Sequence, residues 1–114
     1  DGPRYARFLE TANPKYLVRA CEIPLIVTAR LEKYRALTEA WLRRWGVRCG
    51  QLIMGPWATW EERSRKYDAG CFKGRAYRAS AATIFVESCP KQARSIAEAS
   101  GKRVICPTTA EVFP

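Results

Sequence analysis

This sequence predicts an α/β fold with a mainly parallel sheet, and three observations carry that prediction. Short apolar, β-branched runs such as Leu25 to Thr28 and Thr83 to Glu87 alternate with amphipathic helical stretches. The clearest of these strand patterns are followed within a few residues by a helix start. Between them, Leu31, Tyr34, Leu37, Trp41, Leu42 and Trp45 recur at three- and four-residue steps, one apolar face of a long helix.

Pro3 to Thr11 has helical spacing, with Tyr5, Phe8 and Leu9 on one side. Asp1 suits the N-cap and Pro3 the first turn, and Asn13-Pro14 ends the helix. Tyr16 to Ala20 is short and ambiguous. Leu25 to Thr28 is the first strand and ends on a hydroxyl. The helix from Leu31 to Trp45 puts Glu32, Lys33, Arg35, Glu39, Arg43 and Arg44 largely on its other face, and Gly46 suits the position just past its end. Gln51 to Met54 is a second strand, broken by Gly55-Pro56.

Thr59-Trp60-Glu61-Glu62 is a capping box, so a helix starts near Trp60. Gly70 interrupts it, and a further helical segment runs from Cys71 to Ala79. Thr83 to Glu87 is the third strand and ends on a carboxylate. Pro90 opens a helix that runs through about Ser100 and is capped by Gly101. Arg103 to Cys106 is the fourth strand.

At 114 residues the chain is one domain or part of one. Its net charge of +9 fits an anionic partner such as a nucleotide, a sugar phosphate or a nucleic acid. A generally Arg-rich composition is the favoured reading, since the basic residues are spread through both halves. No nucleic-acid-binding motif is present. Five cysteines occur without a Cys-x-x-Cys pair, and there is no histidine. That excludes Cys/His zinc sets and Ser-His or Cys-His nucleophile pairs within this chain. The odd cysteine count and the α/β pattern lead us to expect reduced thiols, with Cys106 in the core. No run approaches a membrane span and no signal-peptide pattern opens the chain, so a cytoplasmic setting is expected.

Ligands of open α/β sheets bind beyond the carboxyl ends of the strands. Thr28 and Glu87-Ser88 stand at such ends. A hydroxyl can hold a phosphate oxygen, and a carboxylate can hold a hard cation such as Mg²⁺. Lys73 or Lys66 could offset charge developed on a phosphoryl group. Each residue also has an ordinary reading. Thr28 suits any strand end, Glu87 suits a helix N-terminus, and the lysines suit a surface. Arg30 and Arg35 could contact an anion or face solvent. Trp57 and Trp60 could stack on a base or sugar or pack in the core.

In order and spacing these segments resemble the haloacid-dehalogenase-like phosphohydrolases. Ile26-Val27-Thr28-Ala29-Arg30 is similar to the family's second motif, a Ser or Thr at a strand end. Lys73 in Cys71-Phe72-Lys73-Gly74-Arg75 resembles its lysine, and Phe85-Val86-Glu87-Ser88-Cys89-Pro90 resembles its acidic fourth motif. Gly101-Lys102-Arg103-Val104-Ile105-Cys106 resembles the final strand. The wider pattern, with Thr28-Ala29-Arg30-Leu31-Glu32-Lys33-Tyr34-Arg35, is similar to a group in which such a domain follows a phosphoribosyltransferase domain.

The resemblance spans about residues 1 to 112. It implies a Rossmann-like three-layer sandwich, Mg²⁺-dependent hydrolysis of a phosphorylated small molecule, and a fused or partner phosphoribosyltransferase domain. Thr28 and Lys73 would be catalytic and Glu87 a metal ligand.

Two departures qualify it. The central first strand, which would carry an Asp-x-Asp nucleophile motif, has no counterpart in 1–114. Cys89 stands where an acidic residue is usual and is a poor ligand for a hard cation. The expectation is therefore a partial domain, either a fragment or a degenerate copy. It would be marginally stable, inactive alone, and a weak Mg²⁺ binder or none. A non-catalytic basic module that binds an anionic ligand, a nucleic acid or a partner domain is the alternative.

Overall fold

The computed structural model describes residues 2–14, 21–66 and 68–114. The chain is mixed α/β, and its strands form two small sheets among the described residues. It divides into two compact units, Asp1–Lys66 and Tyr67–Pro114.

The first unit contains helix α1 (Pro3–Thr11), strand β1 (Ile23–Leu31), a 3-10 turn (Glu32–Tyr34), helix α2 (Arg35–Arg44), strand β2 (Cys49–Gly55) and helix α3 (Trp60–Lys66). The expected cap Asp1 and the segment Tyr16 to Ala20 lie outside the described residues. Gly2 occupies the N-cap position of α1. Leu9 is fully buried, but Phe8 is 57% exposed, so the buried face of α1 is narrower than the spacing implied. Leu9 packs with Leu31 and Tyr34, and Tyr5, Ala6, Leu37 and Trp57 close around them. The Trp41 indole N–H donates to the Ala12 carbonyl at 2.7 Å, which ties α2 to the end of α1.

β1 and β2 pair in parallel, with Leu25 opposite Gln51 and Val27 opposite Ile53. The expected strand end at Thr28 is instead an irregularity in a strand that continues. Regular register stops at Val27 and resumes with Leu31 opposite Gly55. Thr28 Oγ1 accepts from the Arg30 N–H at 3.2 Å, a local turn that competes with the ladder. Leu31 consequently stays extended and buried, and the helix expected from Leu31 starts only after the 3-10 turn. It closes as the sequence predicts. Gly46 takes φ 72°, its N–H donates to the Arg43 carbonyl, and the Val47 N–H donates to the Leu42 carbonyl. That pair of bonds is a Schellman motif.

The second unit contains helix α4 (Ala69–Ala79), strand β3 (Phe85–Val86), helix α5 (Pro90–Ser100), strand β4 (Val104–Cys106) and strand β5 (Glu111–Phe113). Gly70 does not interrupt a helix; it lies in the first turn of α4, where Asp68 caps by accepting from the Cys71 N–H at 2.9 Å. A side chain at Gly70 or Gly74 would collide with α5, at Ser95 and Ala99 respectively. β3 is shorter than the apolar run Thr83 to Glu87: Phe85 and Val86 pair in register with Val104 and Ile105, and the Glu87 N–H adds a last bond to the Ile105 carbonyl at 3.0 Å. β5 was not expected. It returns antiparallel to β4 through a turn in which Ala110 takes φ 60°.

Alternation along the strands divides this sheet cleanly. Phe85, Val104, Cys106 and Phe113 face Tyr77, Ala93, Ile96 and Ala97 in the core. Val86, Ile105 and Val112 are opposite one another in the ladder and face away, with Val86 63% and Val112 55% exposed.

Lys102 holds the connection after α4. Its ammonium donates to the carbonyls of Tyr77 (3.1 Å), Ser80 (2.8 Å) and Ala82 (2.9 Å). It also lies 4.8 Å from the centre of the Tyr77 ring. The Tyr77 phenol is buried and donates to the Arg103 carbonyl at 2.7 Å, and burial raises its pKa above the ordinary value. We expect Lys102→Met, which keeps the stem and removes the donors, to lose about 1.5–3 kcal/mol in urea unfolding. An unchanged midpoint would show that water replaces the ammonium at no cost.

All five cysteines are free thiols, and Cys106 is buried. No helix among the described residues is long and apolar enough to cross a membrane.

Candidate functional site

Two of the residues that the sequence singles out for chemistry, Lys73 and Glu87, meet in the second unit. Pro90 starts α5 directly after the loop that follows β3, so Glu87 lies just past the carboxyl end of that strand and Gln92 lies in the first turn of α5. α4 approaches α5 closely because Gly70 and Gly74 present no side chain at the crossing. That approach carries Lys73 to the strand end. Its Nζ donates to Glu87 Oε1 at 2.6 Å and to Gln92 Oε1 at 2.9 Å. The Lys73 and Glu87 side chains are 14% and 11% exposed, so the pair sits largely out of water. Glu87 Oε2 accepts from the Cys89 N–H at 3.1 Å. Both carboxylate oxygens are thus engaged, and the ammonium is held by two acceptors.

An ammonium fixed in this way is a charge-assisted donor of defined direction. It can face a phosphate oxygen only in competition with Glu87. The fit to Mg²⁺ is poor. Glu87 is a single carboxylate already paired with a cation, and among the described residues no three His, Cys, Asp or Glu side chains gather to hold a metal. A hard cation needs several oxygen ligands, which this donor set does not supply. Cys89 faces Glu87 through its backbone N–H.

Thr28 belongs to the first unit, where its hydroxyl oxygen accepts from the Arg30 N–H at the register shift of β1. Arg35 is not poised for an anion. Glu32 and Glu39 pair with it, and its Nη2 donates to the Leu52 carbonyl at 2.8 Å, anchoring the turn before α2 to β2. Its pKa is raised, chiefly by the bond to Glu32, and that of Glu32 is lowered by the same bond. The Lys66 side chain lies outside the described residues. Trp57 packs against the core of the first unit, whereas Trp60 is 47% exposed. The Cys49 thiol is no ready nucleophile, because burial, with Glu22 and Glu39 nearby, pushes its pKa up.

Gln92 and Lys102 were not singled out from the sequence. Gln92 had one available signal, its place in the first turn of a helix that starts beside Glu87. Lys102 had one too, since it directly follows the capping glycine.

The chain matches no protein-family model, no curated protein and no solved structure.

Proposed function

We propose that this chain is a partial haloacid-dehalogenase-like phosphohydrolase domain, whose ligand is a phosphorylated small molecule and whose natural context includes a phosphoribosyltransferase domain. The buried Lys73–Glu87 pair carries this reading. A helix lysine, at the position that resembles the family's third motif, reaches the acidic residue at the position that resembles its fourth, just past a parallel strand. On this reading Lys73 balances phosphoryl charge in the second unit, where Glu87 holds it, and Thr28 is a phosphate contact of the first unit, to be tested by itself.

The corresponding architecture is a Rossmann-like three-layer sandwich with a mainly parallel sheet that lacks its central first strand. Two observations support it. Among the described residues β1 pairs with β2 alone and β3 with β4 alone, so each keeps an edge open to a further strand. The apolar row Val86, Ile105 and Val112 leaves one sheet face open for a further layer.

No residue of the chain fits the nucleophile. Its aspartates are Asp1 and Asp68, with no Asp-x-Asp pair, and Asp68 caps α4. We therefore expect no hydrolysis of p-nitrophenyl phosphate by this chain. Turnover that vanishes in Glu87→Ala would overturn that expectation. Phosphate contact at Thr28 is tested by titrating inorganic phosphate and following ³¹P resonance shifts. Thr28→Val should weaken binding about tenfold, the loss of one hydrogen bond to a charged group, and Thr28→Ser should retain it. Equal binding by all three proteins would remove Thr28 from the site.

The alternative, a non-catalytic anion-binding module, is favoured by the charge of +9 and by an open cavity of about 540 Å³ bordered by Arg43 and Arg48 as well as Glu22 and Glu39. A polyanion bound there would dissociate steeply with added salt.

A further inference from the structure

A second cavity, wholly within the first unit, has a different character. It measures about 210 Å³ and is lined by Tyr5, Leu31, Tyr34, Trp60 and Arg63. Three of its five lining side chains are aromatic, and one is a cation. Tyr5 and Tyr34 meet edge to face, with ring centres 5.2 Å apart, so their orientation is set by packing. Leu31 and Tyr34 are buried and form the floor.

Trp60 stands apart from this packing. It is 47% exposed, and an indole left half in water contributes much less to folding than one that is buried. It is nonetheless oriented. The Arg63 guanidinium lies 4.3 Å from its ring centre, and Arg63 Nη1 donates to the Ala29 carbonyl at 3.4 Å. The same arginine thus links the indole to the strand residue next to Thr28. The cavity is an apolar slot with a flat aromatic wall and one planar donor at its rim.

We infer that this cavity is a binding subsite for a planar aromatic ring, with Trp60 and Arg63 as its recognition residues. The volume is below the roughly 300 Å³ at which drug-sized pockets begin, so it suits a single ring system and not a whole nucleotide. Stacking on Trp60 tolerates a range of ring substituents. The guanidinium favours a ring that carries a carbonyl or other acceptor at its edge. Such a ring comes from a nucleobase or from a substituted benzene. The inference rests on the cavity alone and stands whether or not the chain handles phosphate.

Isothermal titration of the whole chain with uridine, guanosine, benzoate and cyclohexanecarboxylate tests it. Saturable binding of the nucleosides, of benzoate or of both is expected, with cyclohexanecarboxylate at least tenfold weaker. Nucleoside binding without benzoate binding assigns a nucleobase, and the reverse assigns an aryl acid. Trp60→Ala should weaken the bound probe at least tenfold. Arg63→Met should weaken it less and remove any preference for an edge acceptor. Trp60 is exposed, so its loss leaves the buried core in place, and unchanged far-ultraviolet circular dichroism verifies this. Binding of no aromatic probe, equal binding of the saturated ring, or full affinity in Trp60→Ala overturns the assignment.

Discussion

Lys73→Met is expected to destabilise the Tyr67–Pro114 unit by about 3 kcal/mol, the lower end of the cost of stranding one member of a buried ion pair. The lower end applies because both side chains retain some exposure, 14% and 11%. Methionine fills the space of the lysine stem but leaves Glu87 facing Gln92 with no cation between them. Glu87→Gln should cost less, since a neutral amide can still accept from Lys73 and Gln92 remains a second acceptor. Combining Lys73→Met with Glu87→Leu should restore most of the stability, because neither charge is then left buried. Hydrogen exchange of the α4 and α5 amides under urea measures all three locally. If Lys73→Met protects those amides as well as the native chain does, the pair is not a structural element. Its conjunction at a strand end would then count more strongly toward ligand chemistry.

Gly70→Ala should also destabilise, by about 1–3 kcal/mol, although alanine is the better helix former by about 1 kcal/mol. The added Cβ would lie 2.0 Å from Ser95 Cβ and 3.0 Å from the Ser95 backbone, so α4 and α5 would have to separate. Gly74→Ala meets Ala99 Cβ at 2.5 Å and the Ile96 carbonyl at 3.2 Å, a milder conflict with the same sign. Separation of the helices would also draw Lys73 away from Gln92, so the two effects are coupled and should not add. Thermal unfolding checks this. A fall of several degrees is expected for a unit of this size, and a rise would mean that the helices part without loss.

Much of the secondary structure was legible because it is set locally. α1 and α5 fall on their predicted bounds, since Pro3 and Pro90 mark first turns and Gly101 takes φ 68° at the end of α5. The capping box before α3 forms in part. The Glu62 N–H donates to Thr59 Oγ1, but the Glu62 carboxylate accepts from Ala58, one residue before the expected donor. The errors occur where a distant residue decides the outcome. Gly70 reads as a breaker in a linear sequence and proves to be a contact surface once Ser95 is opposite it. Thr28 reads as a strand end, yet β1 runs on to Leu31 because the core formed by Leu9 and Tyr34 draws in that side chain. β5 carries no strong local pattern and exists because β4 offers it an edge.

What the sequence determined by itself was the alternation of strands and helices, their caps, and the residue types available for chemistry: no histidine, no Asp-x-Asp, and a lysine and a glutamate in suggestive places. Those are properties of neighbouring residues and of composition. Only the tertiary structure decided that Lys73 pairs with Glu87 and Gln92 out of water, that Arg35 is already committed to Glu32, Glu39 and Leu52, and that Trp60 borders a cavity instead of filling one. The physical reason is that burial and pairing depend on which surfaces meet, and a helix crossing through Gly70 and Gly74 sets that meeting in the second unit across more than twenty residues of chain.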